Sequence, residues 1–152
     1  MLERIEKSFF RIKDLLLEND DIRRLLMEDG PDALQRYAPS IEQAKDYVVL
    51  RPVIDLNDEN YTRNTIAAIT MPSIYLEDKY LSTRMFLTFY TQNSEYELNN
   101  EQLRLFRLAD LAAEILNNKK LYNAGTLELL SIREVVMNSS ITGIVLEFSI
   151  ND

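Results

Sequence analysis

The chain has 152 residues and carries 25 acidic side chains against 17 Lys and Arg, a net charge of −8, with no histidine, no cysteine and three glycines. That composition excludes a disulfide framework, thiolate chemistry and the usual zinc ligand sets, removes the commonest general base, and leaves too few glycines for a phosphate-cradling loop. The acidic balance argues against free nucleic acid as a partner, and no apolar run nears the roughly 18 residues that span a membrane.

The N-terminus, Met1-Leu2-Glu3-Arg4-Ile5-Glu6-Lys7, alternates charge signs and is not a signal peptide. A soluble, intracellular, single-domain chain over 1–152 is the expectation. Its length suffices to bury a core without staples.

Residues 2–18 place Leu2, Ile5, Phe9, Ile12, Leu15 and Leu16 at helical spacing, with Phe10 and Leu17 broadening the stripe. Asn19-Asp20-Asp21 interrupts the stripe and caps a second helix over 22–28, with Leu25 and Leu26 inward. Gly30-Pro31 ends it. A turn of helix over 32–37 follows, and Ser40 with Gln43 forms a weak capping box for one more turn. This helical segment covers 1–46, and a sheet with one long helix covers 47–152.

Residues 47–54 are rich in strand formers, and Pro52 puts that strand at an edge or a bulge. Residues 55–60 are a polar turn. Strands are predicted over 64–71 and 85–90. Between them lies a twelve-residue connection, 72–83, much longer than a hairpin loop usually is, carrying Ile74, Tyr75, Leu76, Tyr80 and Leu81. Asn99 and Asn100 before Glu101 read as the start of the long helix, whose inner face is Leu105, Leu108, Ala112, Ile115 and Leu116. Asn117–Lys120 end it and Gly125 closes the turn. Two closing strands, 127–132 and 142–150, flank the turn Asn138-Ser139-Ser140. In the second, Ile144, Leu146, Phe148 and Ile150 alternate onto the face expected to meet the helix. The fold class is α+β: a mainly antiparallel sheet of about five strands, with N-terminal helices and one long helix packed on one face.

Three groups of side chains suggest sites. Asp55-Leu56-Asn57-Asp58-Glu59-Asn60 opens like a calcium loop but has Asn60 at the sixth position and Ile66 at the twelfth, where glycine and glutamate belong; a solvated turn is the reading. Asp55 with Glu77 and Lys79 has the residue types of a magnesium-dependent nuclease, set against an ordinary solvated hairpin. Arg104, Arg107, Asp110 and Glu114 run along the long helix, either as a solvated face or as an inter-subunit salt-bridge strip.

The run Leu103-Arg104-Leu105-Phe106-Arg107-Leu108-Ala109-Asp110, then Ile115-Leu116-Asn117-Asn118, then Gly125-Thr126-Leu127-Glu128-Leu129, with the closing Thr142-Gly143-Ile144-Val145-Leu146-Glu147-Phe148, resembles the neck proteins of tailed bacteriophages. The nearest type is the tail-terminator, or tail-to-head joining, group. As pattern the resemblance covers about 47–152, with 47–54 contributing less. It implies a homo-oligomeric ring, with a hexamer as the expectation, around the DNA exit channel. Its partners would be other neck, portal-adaptor or tail proteins, with DNA passing the lumen without specific binding. It implies residence in the virion, with assembly in the host cytoplasm, no cofactor and no catalytic residues. A head-completion adaptor or other tail component is the alternative of the same kind. The expected interface residues are Ile74, Tyr75, Leu76, Glu77, Lys79, Tyr80 and Leu81 on the long connection, with Arg104, Arg107, Asp110 and Glu114 on the helix.

Overall fold

The computed structural model describes residues 2–51, 63–77, 80–121 and 124–151; of 72–77 and 80–82 it describes the backbone alone. Helix α1 (Leu2–Leu17) buries Ile5, Ile12, Leu15, Leu16 and Leu17. Phe10 and Leu2, expected in that stripe, stand in solvent at 56% and 58% exposure. Ser8 is buried instead, and its hydroxyl donates to the Arg4 carbonyl at 2.7 Å, which satisfies it within the helix. Helix α2 (Asp20–Met27) starts where Asn19 Oδ1 accepts the Ile22 N–H at 2.9 Å. A short 3₁₀ turn (Ala33–Gln35) and helix α3 (Ile41–Ala44) follow, and Ser40 and Gln43 form the anticipated reciprocal box.

Six strands make the main sheet, in the order β1-β2-β3-β8-β7-β6. They are β1 (Val48–Val49), β2 (Thr65–Glu77), β3 (Tyr80–Gln92), β6 (Lys120–Leu121), β7 (Gly125–Val136) and β8 (Ile141–Asn151). Strands β4 (Glu97–Leu98) and β5 (Gln102–Leu103) form a separate small hairpin before helix α4 (Arg104–Leu116). The class is α+β with mainly antiparallel pairing, as expected. The exception is β1, which runs parallel to β2 with Val48 opposite Ala67. Tyr47 belongs to the 3₁₀ turn Lys45–Tyr47 that delivers β1, and 52–54 of the predicted strand lie outside the described residues, as does the turn 55–60.

The twelve-residue connection is not a loop. Strands β2 and β3 continue through it as one antiparallel ladder from Thr65↔Thr91 to Glu77↔Tyr80. Pro72 hid this continuity. Thr70 faces Phe86 and Ser73 faces Arg84, so Met71 and Pro72 share one partner, Met85. Such a bulge spares proline, which has no N–H to give a ladder. A second bulge lies in β7, where Leu129 faces Phe148 and Ser131 faces Glu147, leaving Leu130 extra. Met85 itself faces Phe148. Both bulges therefore lie on one line across the sheet, and each adds local twist there.

Helix α4 begins four residues later than the sequence suggests. Asn100 and Glu101 take left-handed backbone (φ 62° and 58°) in the β4–β5 turn. Asparagine tolerates that conformation, so the Asn pair marks a hairpin rather than a cap. Leu105, Leu108, Ala112 and Leu116 of α4 share one buried cluster with Ile144, Leu146, Phe148 and Ile150 of β8 and with Met85, Leu87 and Phe89 of β3. The period-two reading of β8 holds. At Gly143 an added Cβ would sit 3.1 Å from the Tyr90 ring, which would have to give by a few tenths of an ångström.

Candidate assembly interface

Of the helix strip, Arg104 does not lie on the surface. It is fully buried. At about 100° per residue it lies about 40° around the helix from Leu108 and about 60° from Arg107, so it belongs to the margin of the inner face. Its guanidinium donates to four carbonyls: Glu95 at 2.8 Å, Leu25 at 2.5 Å, Glu28 at 2.9 Å and Gly30 at 3.0 Å. Leu25 and Glu28 close the end of α2, where carbonyls lack intrahelical donors and a positive charge is favoured. Glu95 completes the knot: its carboxylate lies 3.9 Å from Arg104 and accepts the Gly30 N–H at 2.6 Å. Burial pushes the Arg104 guanidinium below its ordinary value, and the Glu95 charge opposes that shift. Arg23 does similar work at the other end of α2, donating to the carbonyls of Pro39 (2.7 Å) and Leu17 (2.5 Å) and pairing with Asp20. The sequence signal for Arg104 is its four-residue step to Leu108.

The rest of the strip is on the surface. Asp110 and Glu114 are exposed and Arg107 is half-buried. Among the described residues no ion pair joins Arg107 to either acid, and Arg107 Nε is shielded from solvent without an acceptor. Phe106, 47% exposed, sits beside them on α4.

Of the predicted nuclease trio, Asp55 and Lys79 lie outside the described residues, and Glu77 is described by its backbone as the last residue of β2. Among the described residues no group of three acidic or other ligating side chains could hold a metal ion, and no helix is long and apolar enough to cross a membrane.

Two surfaces of the sheet remain. The first is the arm. Strand β8 accompanies β3 only as far as Asn151↔Ser82, while β2 and β3 stay paired to Glu77↔Tyr80. Tyr80 and Leu81, at the start of β3, lie past its last described pair with β8. The arm carries the predicted Ile74, Tyr75, Leu76, Glu77, Tyr80 and Leu81, whose side chains are outside the description. The second is the strand β7, which sequence reasoning did not single out. Leu130, Ile132 and Val136 on it, and Met137 after it, are 43–73% exposed. The extra residue Leu130 shifts alternation so that Ile132 falls opposite Leu146, yet the helices do not cover it. On the opposite face, Phe86, Tyr90, Arg133, Val135, Met137 and Val145 line an open groove of about 460 Å³. The Arg133 guanidinium lies 6.0 Å from the centre of the Phe86 ring.

No family model matches the chain, and no curated protein does. Among solved structures it is similar to a chain in the virion of a native gene transfer agent particle, at 10% identity and a TM-score of 0.42, over 70% of this chain and 78% of that one.

Proposed function

We propose that this chain is a structural virion protein: a subunit that closes into a ring at the head–tail neck, in the position of a tail terminator or joining protein. The observation that carries the reading is the β2–β3 ladder, which continues through residues 72–83 to Glu77↔Tyr80, two β3 residues past its last described pair with β8, Ser82↔Asn151. A two-stranded ribbon by itself is marginal in water. Apolar area that a contact with the next subunit takes out of water stabilises that contact by roughly 25 cal/mol per Å². Subunits that each offer such an arm to the next make a head-to-tail contact, which closes into a ring when the rotation fits. The net charge of −8 supports the same reading, since an acidic lumen lets DNA slide past without binding. The role is geometrical: one face toward the head connector, the other toward the tail, ending tail growth. Arg107, Asp110 and Glu114 remain a proposed polar part of the contact.

The test is removal of the arm. A variant lacking residues 73–82, bridged by a short turn, should stay folded by circular dichroism and sediment as a monomer at concentrations where the intact chain assembles. Rings from that variant would refute the proposal.

A further inference from the structure

The proposed ring needs a joint, and the hydrogen bonds of the sheet point to one. In antiparallel pairs, bonded and non-bonded residue pairs alternate. Three bonds fix the phase here: Met137 N–H to Ile141 O (3.1 Å), Asn93 N–H to Ser140 O (2.7 Å) and Gln92 N–H to Asn64 O (2.9 Å). With the registers of β7 and β8, they set Ser131, Arg133 and Val135 as the residues bonded to β8. Leu127, Leu129, Ile132, Glu134 and Val136 therefore turn their backbone N–H and C=O away from β8, to the outer edge.

That outer row falls into two parts. Leu127 is met by its own chain: its N–H reaches Lys119 O at 2.9 Å and its carbonyl accepts Asn118 N–H at 2.8 Å. The Leu129 N–H reaches Asn117 Oδ1 at 3.0 Å. The outward groups of Ile132, Glu134 and Val136 meet nothing among the described residues. This stretch carries Arg133 and Glu134 and borders the bulge at Leu129–Ser131, but it has no proline or lysine and leaves Ile132 and Val136 exposed.

The opposite edge of the sheet is its complement. By the same phase, β2 turns Ile69, Ile74 and Leu76 outward. The short strand β1 blocks β2 at Ala67 and Ala68, and the short strand β6 blocks β7 at Gly125 and Thr126. Followed across the ladders, Glu134 lies in the row of Ala67, and Thr126 in the row of Tyr75. Each edge is thus closed at the end where the other is open.

We infer that β7 of one subunit pairs with β2 of the next through these open stretches, making one sheet continuous around the ring; this rests on the ring reading above. Four strands, β2, β3, β8 and β7, separate the two edges, and they alternate in direction. A rotated copy therefore presents β2 antiparallel to β7. Clearing β1 needs a stagger of four residue rows, about 13 Å at 3.3 Å per row. Spread over four strands about 4.8 Å apart, that is a strand tilt of roughly 35°, at the low end of the 35–45° that closed barrels use. Four rows is an even number, so outward groups meet outward groups: Val136 faces Ile69, Ile132 faces Ile74, and Glu134 faces the Met71-Pro72 bulge. A twofold pairing of β7 with itself, centred on Arg133 or on Glu134, would instead set like charges opposite each other.

The cysteine-free chain makes the test direct. Two single-cysteine variants, I132C and I74C, are assembled alone and mixed, then treated with a short thiol cross-linker. A covalent dimer is expected only in the mixture. A dimer from I132C alone means twofold pairing and overturns the inference, as do rings that yield no cross-link. A second variant, I132K with V136K, places charge on the exposed edge; it should keep the folded chain's circular dichroism and lose assembly. Rings that form with both lysines present also overturn the edge joint while leaving the ring reading intact. Failure of the unmodified chain to assemble at any concentration removes the ring reading itself, and the joint with it.

Discussion

Arg104 holds four carbonyls from two parts of the chain, 25–30 and Glu95, in a site closed to water. Replacing it with methionine would keep much of the volume and strand those carbonyls. Removing one partner of a buried charged network costs about 3–5 kcal/mol, and that loss is expected in urea unfolding of R104M. R104K should recover only part of it, because a single ammonium lacks the fork that spans several acceptors. A loss under about 1 kcal/mol for R104M would show that the knot is incidental. Tyr96 makes a different kind of claim. Partial burial, then its hydrogen bond to Glu134, push its hydroxyl up from about 10 to about 12. A raised folded-state value means the native state holds that proton more tightly. Its contribution is whole below about pH 10 and is lost as the pH climbs toward about 12. Tyr96→Phe should therefore flatten the fall in stability between those values. An unaltered alkaline limb in the variant would contradict the assignment.

At the scale of elements, β8 is the load on which α4 rests. Phe148 is fully buried between them, and Phe148→Ala should cost about 3–5 kcal/mol in equilibrium unfolding. A cost below about 0.5 kcal/mol, the range of ordinary surface changes, would put that strand the other way round. This element was legible in the sequence because Ile144, Leu146, Phe148 and Ile150 alternate without interruption. Asn19 and Ser40 were legible for a similar reason: a cap depends on neighbours within three residues. Features decided by distant partners were not legible. Asn99-Asn100 carries the same letters whether it caps a helix or turns a hairpin, and the β4–β5 pairing chose the turn. Pro72 argued for a break in the strand, but the bulge opposite Met85 absorbs it, so the arm is longer than local propensity allowed. The parallel pairing of β1 depends on a return path that no local pattern encodes. Arg104 looked like surface because arginine usually is, and only the carbonyls at the end of α2 give it a reason to be inside. Of the candidate interface, the arm was visible as an apolar excess in the sequence. The β7 edge was not, since open backbone groups leave no mark on composition.

At the scale of the whole molecule, the helices cover one face of the sheet, while the arm and the β7 edge remain turned outward. The apolar side chains on β7 are a liability in a lone subunit and an asset in an assembly. Both proposed assembly surfaces lie on the sheet margins rather than on its helix-covered face, which would suit a subunit whose neighbours stand beside it around an axis. Salt should affect such a contact weakly if backbone pairing and apolar burial dominate, and strongly if Arg107, Asp110 and Glu114 carry it. The central claim is that the chain closes on itself, and the most direct measurement is the mass of the intact protein by light scattering across a hundredfold range of concentration, with electron micrographs of the same samples. The account predicts one closed multiple of the 17.8 kDa chain, with a central hole and no growth beyond that size. A monomer throughout, or a twofold dimer that grows no further, would contradict it.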